Sequence, residues 1–243
     1  MYDKIPDRVA VVTGGSAGIG AAFVDRLLTR GFRVGVLDRT TRAYGPAEGS
    51  VLWHLGDATS SEDVAAFAAR VRKELGRPRV LVNNVGASPY RAFREESLDS
   101  WRAVMAANVE SCVIATGAFL DDLLGNVHSR IINMCSSVLW DAEARGMVAY
   151  TAAKGAVLGL TRALAAELGE QGITVNALSP GIVRTPDTAR LSEAAFERYR
   201  MRQSIPRIAT PADLLSALDF LISEESDQVT GLVLGVNGGR VWL

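Results

Sequence analysis

The pattern T-G-x-x-x-G-x-G at Thr13–Gly20 constrains this 243-residue chain more than any other stretch. It follows Arg8-Val9-Ala10-Val11-Val12-Thr13, a β-branched run suited to a strand buried on both faces, and it leads into a helix-like segment that continues to Arg30. Glycines at 14, 18 and 20 permit a tight turn and a close backbone approach. They leave N–H groups at a helix N-terminus to meet a pyrophosphate. The spacing differs from the commoner G-x-G-x-x-G turn, so the strand–turn–helix context carries the reading.

A second strand, Arg33–Leu37, ends in Asp38. An acid about 20 residues beyond a glycine turn accepts hydrogen bonds from adenosine ribose hydroxyls and repels a 2′-phosphate, which points to NAD. Arg39 and Arg42 argue for NADP, since a guanidinium there pairs with that phosphate. Ala17 tips the balance to NAD, because no basic residue sits inside the turn.

Alternating strand and helix patterns run through the rest, and the length suits one α/β domain. Strands are expected at 51–55, 79–83, 130–134, 172–178 and 232–236, and helices near 62–75, 98–124, 149–169 and 211–223. Residues 40–50 hold two glycines and a proline, so a full crossover helix is not expected there. Asp57, in Gly56-Asp57-Ala58, either contacts adenine or caps the helix beginning near Ser61. Residues 186–206 read as a helical flap over a pocket.

The second chemical constellation is Ser136-Ser137 followed by Tyr150-Thr151-Ala152-Ala153-Lys154. Residues four apart share a helix face, so Tyr150 and Lys154 point the same way. An ammonium beside a phenol favours the phenolate, which makes Tyr150 a general acid/base for a proton on oxygen. The serines lie where the 130–134 strand opens at its C-terminal end, the place where α/β sheets bind ligands. Asn108 lies among apolar residues and needs a partner, either as a satisfied core amide or as the anchor of a proton relay. Asn83 and Asn84 are placed to brace neighbouring backbone.

Together these residues resemble the short-chain dehydrogenase/reductase family along almost the whole chain. The match rests on the glycine turn, Asn83-Asn84-Val85-Gly86, Asn108, the serine, Tyr150-x-x-x-Lys154 and Pro180-Gly181, in that order. The family's serine stands thirteen residues before the tyrosine, which selects Ser137 over Ser136. The resemblance implies a Rossmann-like, doubly wound sheet of seven parallel strands in one domain, and commonly a homotetramer or otherwise a homodimer. It implies Asn108, Ser137, Tyr150 and Lys154 as catalytic residues. It further implies cofactor contacts from Gly14, Ser16, Gly18, Ile19, Gly20, Asp38, Arg39, Asp57, Ala58, Asn84, Gly86, Pro180, Gly181, Ile182 and Thr185, together with Tyr150 and Lys154. Two departures stand out. Val85 replaces the alanine of the N-N-A-G turn, and Asn237 replaces the aspartate of a C-terminal D-G-G.

The expected activity is NAD-linked hydride exchange between a secondary alcohol and a ketone. Trp140, Met147, Phe196 and Tyr199 suit a hydrophobic or aromatic substrate, whereas Arg91, Arg145 or Arg184 would receive an acidic one. The alternatives are an NADPH-dependent ketoreductase, including 3-oxoacyl-type substrates, and a non-catalytic dinucleotide sensor. A net charge of −1, with acids and bases interspersed, gives no nucleic-acid footprint. The uncharged stretch at 9–24 is too short and too glycine-rich for a membrane span. Cys112 and Cys135 in apolar surroundings, with no leader-like N-terminus, fit a cytoplasmic protein. Only two histidines are present, neither beside an acidic or thiol cluster, so no metal site is expected.

Overall fold

Successive side chains on a strand point to opposite faces, and in the first strand both faces are apolar. The computed structural model describes residues 8–42 and 50–242, and it shows this strand, β1 (Val9–Thr13), wholly buried. Val9 and Val11 enter one core layer with Phe67, Phe119 and Ile131. Ala10 and Val12 enter the other with Phe23, Leu27 and Leu218. Burying each such large side chain stabilises the fold by roughly 1.5–3 kcal/mol.

Six further strands pair in parallel with it: β2 (Arg33–Asp38), β3 (Val51–Leu55), β4 (Val80–Asn83), β5 (Arg130–Met134), β6 (Thr174–Pro180) and β7 (Val233–Val236). Their spatial order is β3-β2-β1-β4-β5-β6-β7, so the chain reverses direction across the sheet between β1 and β4. On one face lie α1 (Gly18–Thr29) and α7 (Leu215–Ile222). On the other are α2 (Ser61–Glu74), the α3 (Leu98–Met105) to α4 (Ser111–Leu124) rod and α5 (Val148–Leu168). The result is the doubly wound α/β fold expected from the sequence. The expectation for residues 40–50 falls largely on 43–49, and that for the N-terminus on 1–7, outside the described residues.

Four local details depart from the sequence reading. The 98–124 helix is interrupted by a π-helical segment, Ala106–Glu110, centred on Asn108. Such bulges re-aim side chains and concentrate at functional sites. By length and a mean hydropathy of 1.6 this rod is apolar enough to cross a membrane, yet Cys112, Ala115, Phe119 and Leu123 are buried in the protein. The helix expected from Pro211 begins as a 3₁₀ turn, Pro211–Leu214, with the Asp213 carboxylate accepting the Thr210 N–H at 2.8 Å. Asp57 does not cap α2. Ser60 does, with its Oγ accepting from the Asp63 N–H.

Candidate active site

The C-terminal ends of β1, β2, β4, β5 and β6 open on one cleft of about 680 Å³. At its nucleotide end the N-cap of α1 is Ala17, which offers no side-chain cap, and the first turn carries no acid. The N-terminal amides and the positive end of the helix dipole are therefore left for an anion. Gly20 packs so closely that a Cβ there would collide with the Gly14 carbonyl and lie 2.5 Å from Asn84 Nδ2. Asn84 braces that turn, donating to the carbonyls of Thr13 (3.1 Å) and Gly14 (2.7 Å). Asn83 bridges Thr116 and Asn133 inside the sheet. Both amides act structurally, and Asn84 also lines the cleft.

Asp38 ends β2 with its carboxylate turned to the same cleft. Oδ2 accepts from the Ser16 N–H (2.9 Å) and Ser16 Oγ (2.8 Å), and Oδ1 from the Thr40 N–H (3.1 Å). Arg39 reaches across to Asp57 at 2.5 Å and Arg42 to Asp25 at 2.6 Å. Asp57 also closes a local turn on Thr59. Burial acts against its carboxylate, but the Thr59 and Arg39 bonds prevail and hold it below the usual range. Ser16 itself is not part of the cleft lining, because its polar groups face Asp38.

At the chemical end, α5 carries Tyr150 and Lys154 one turn apart, with Lys154 Nζ 5.5 Å from the Tyr150 ring centroid. Lys154 is only 4% exposed, and its ammonium donates to the Met134 carbonyl at 2.7 Å. Ser136 and Ser137 follow β5 directly. Ser136 Oγ accepts from the Val138 N–H, capping the short turn Ser137–Trp140. Ser137, 4% exposed, is left to serve the cleft. Asn108 is fully buried behind Gly86, with Nδ2 held by the carbonyls of Ala87 and Val104 at 2.9 Å each. Its Oδ1 has no partner among the described residues. A Cβ at Gly86 would lie 2.7 Å from that oxygen and 3.5 Å from Lys154 Nζ, so the two groups face one small space.

The remaining expected nucleotide contacts, Ile19, Ala58, Pro180, Gly181, Ile182 and Thr185, line the cleft with Gly14, Gly18 and Gly86. Uncapped amides, a backbone crease that admits no Cβ and an orphaned buried amide oxygen together fit a bound dinucleotide. A Cβ added at Gly14 would lie 3.1 Å from a Val85 methyl, and Val85 also packs against the core. Asn237 accepts from the Gly239 and Arg240 N–H groups and donates to the Val241 carbonyl, a donation a carboxylate cannot make.

The substrate end differs from the expected apolar pocket. Met147 and Tyr199 line it, but Trp140 and Phe196 do not. Phe196 is buried behind the wall, with the Arg184 guanidinium 4.3 Å from its ring centroid, and Arg184 pairs with Glu193. Arg91 and Arg145 are also absent from the lining. The wall from 186 to 206 supplies Arg190, Leu191, Ala195, Arg198, Tyr199 and Arg202, and the opposite side supplies Asp141, Glu143 and Arg240. Arg240 pairs with Asp141 and Glu143, Arg202 with Glu143, and Arg190 with Asp187. Arg198 has no carboxylate partner among the described residues. Sequence reasoning missed Asp141, Arg198, Arg202 and Arg240, since nothing local marks a charge pair spanning 99 residues.

Such a cleft, with an uncapped helix end and Asp38 at one side and Tyr150, Lys154 and Ser137 at the other, fits a dinucleotide-dependent oxidoreductase. The short chain dehydrogenase family pattern matches residues 8–195, and the chain belongs to that family. It is 35% identical to the (2S)-[(R)-hydroxy(phenyl)methyl]succinyl-CoA dehydrogenase subunit BbsD of Thauera aromatica, over 97% of each chain. It is 34% identical to cis-4-hydroxycyclohexanecarboxylate dehydrogenase of Sinomonas cyclohexanicum, over 98% of each. Among solved structures it superposes on a metagenomic blue fluorescent protein bound to NADPH with a TM-score of 0.86 (30% identity, 97% and 98% covered). It also superposes on 4-hydroxyisoleucine dehydrogenase bound to NADH with a TM-score of 0.85 (27% identity, 96% and 98% covered). The protein is thus an oxidoreductase acting on CH–OH or keto groups with a nicotinamide dinucleotide.

Proposed function

We propose that the protein interconverts a secondary alcohol and a ketone with NAD as the preferred partner. The observation that carries this reading is the convergence of Ser137, Tyr150 and Lys154 on one lip of the cleft, with Asn108 behind them. The dinucleotide, held by the glycine turn, Asp38, Asn84 and the 180–185 segment, supplies the hydride acceptor or donor. Tyr150 Oη takes the substrate hydroxyl proton in oxidation and returns it in reduction. Ser137 Oγ holds the substrate oxygen and stabilises the charge developing on it. Lys154, anchored on Met134, places a positive charge beside the phenol, and Asn108 Oδ1 is oriented to accept a proton-relay water next to Nζ.

NAD preference is supported by Asp38 and by the engagement of Arg39 with Asp57 and of Arg42 with Asp25. The substrate is a compact alcohol or ketone whose apolar body contacts Val138, Met147 and Leu191. A second reading, an acidic or acyl-thioester substrate, is favoured by Arg198, which has no carboxylate partner among the described residues, and by the carboxylate and CoA substrates in the two relatives' names. Exposed apolar side chains on the α3–α4 rod and α5 (Leu98, Val113 and Val148) support a homodimer or homotetramer. The test is binding of NADH and NADPH, followed by turnover on paired neutral and carboxylated alcohols and ketones. Tighter NADPH binding would overturn the NAD assignment, and absence of turnover on the whole panel would overturn the dehydrogenase reading.

A further inference from the structure

The wall formed by residues 186–206 carries one charge that the hydride chemistry leaves unused. Its helix is α6 (Glu193–Arg200), capped by Ser192. Leu191, Ala195, Arg198, Tyr199 and Arg202 from this segment line the cleft. Their spacing of three and four residues is that of one helical face, which runs on into the turn after α6. Phe196, off that face, is buried.

The other charged side chains at this end of the cleft are committed to one another. Arg190 pairs with Asp187 at 2.7 Å. Arg240 pairs with Asp141 at 2.8 Å and with Glu143 at 3.2 Å, and Glu143 also meets Arg202. Arg190, Arg202 and Arg240 thereby balance Asp141, Glu143 and Asp187, and the charge of Arg198 is left over. The acids of α6 are engaged as well, Glu193 by Arg184 at 3.0 Å and Glu197 by Arg200 at 2.5 Å. At i±3 and i±4 from Arg198 stand Ala194, Ala195, Met201 and Arg202, none of them an acid. A cation in the last turn of a helix complements the dipole, but Arg200 in the same turn does that from outside the cleft. Arg198 is exposed and lines the cleft, with no carboxylate partner among the described residues.

A guanidinium so placed offers a planar fork that matches a carboxylate. One surplus positive charge balances one negative charge, whereas a phosphate dianion would leave excess negative charge beside Asp141 and Glu143. Ala195, one turn before Arg198, adds only a methyl and leaves room beside the fork. Val138, Met147 and Leu191 supply apolar lining at the same end. We propose, resting on the dehydrogenase reading, that Arg198 determines specificity and that the substrate is a monocarboxylate. It is a hydroxy or oxo acid with an apolar body, its reacting oxygen at Ser137 and Tyr150 and its carboxylate on the Arg198 guanidinium. The carboxylate is remote from the reacting carbon and is held equally before and during hydride transfer. The contact therefore lowers KM and leaves kcat alone.

The experiment compares the parent with Arg198→Gln and Arg198→Lys on 3- and 4-acetylbenzoate and on their methyl esters, with the reduced cofactor that the parent binds more tightly. The parent is expected to use at least one acid about 10-fold better than its ester in kcat/KM. Arg198→Gln is expected to raise KM for that acid about 10-fold, with kcat and both esters unaffected. Arg198→Lys keeps the charge without the fork, and is expected to restore part of the preference. No preference for an acid in the parent, or an equal loss on acid and ester, overturns the proposal. Faster use of a 3-oxoacyl-CoA than of either acid, in parent and Arg198→Gln alike, overturns it in favour of a thioester substrate. A second measurement needs no turnover. The acid is titrated calorimetrically into protein saturated with oxidised cofactor, with which a ketone cannot react. Arg198→Gln is expected to weaken this binding about 10-fold and to leave the ester unchanged, and equal binding of the acid by parent and variant overturns the proposal. Failure of the dehydrogenase reading is read separately, from the parent enzyme on the alcohol and ketone panel.

Discussion

Arg240 and Asp141 form a two-pronged ion pair, at 2.8 and 3.0 Å, between the C-terminal turn and the end of the Ser137 turn. The two side chains are 8% and 14% exposed, so little water screens them. Removing one partner strands the other, and Arg240→Ala also frees Glu143 of a cation. The expected loss is about 3 kcal/mol of stability, read as a lower urea midpoint. The pairwise part is isolated by a cycle with Asp141→Asn.

Tyr150→Phe keeps the ring beside Lys154 and removes the oxygen to which the proton transfer is assigned in the proposed mechanism. Turnover is expected to fall by about 10²–10⁴-fold, while NADH binding, followed by fluorescence, stays within about two-fold of the parent. Retained turnover would remove Tyr150 from the proton chemistry.

Asp38→Ala deletes the acceptor facing the nucleotide end and releases Ser16 and Thr40. The expected outcome is weaker NADH binding by about 10-fold, with NADPH gaining relative to it because a repelling charge is gone. Parallel titrations with the two cofactors measure both changes.

Glycine substitutions separate two roles. Gly20→Ala places a methyl against the Gly14 carbonyl and Asn84, so it should abolish nucleotide binding even if the protein folds. Gly159 lies in α5 with nothing within 4 Å of an added Cβ. Gly159→Ala should therefore stabilise by about 0.5–1 kcal/mol, read from thermal and urea unfolding.

Acid sensitivity follows from the paired carboxylates. Bonds from Arg207 and Thr210 hold Asp213 well below its ordinary value of 3.8. Burial opposes the charge of Asp219, yet bonds from Arg30 and Arg26 hold it low as well. A depressed folded value gives stability that is full above 3.8 and lost as pH falls through that lower value. His54 is depressed first by burial and then by Arg70. The unfolded chain therefore takes up a proton there before the folded one, and stability begins to decline as pH falls through 6.5. Urea midpoints across this range should show two descents. His54→Gln should remove the upper one, and Asp213→Asn should shrink the lower.

The strand–glycine–helix opening, Asp38 at the end of β2, and the pairing of Tyr150 with Lys154 were legible in the sequence because each is local. A β-branched run, a turn that admits no Cβ and an i,i+4 spacing impose their geometry whatever lies beyond them. The π segment at Asn108 was not legible, because it arises where one long helix must satisfy a buried amide against the β4 exit. Choosing between Ser136 and Ser137 needed a family spacing, whereas the structure separates them physically, by the cap that Ser136 makes on Val138. The substrate wall was the least readable part. Trp140 lies close after Ser137 and Phe196 lies in the 186–206 wall, but neither lines the cleft, and Phe196 is buried behind it. Arg198, Arg202 and Arg240 line it only because α6 and the C-terminal turn fold onto the Ser137 turn. Local sequence thus determined the elements and the placement of Tyr150 beside Lys154, while long-range packing alone decided which charges line the cleft.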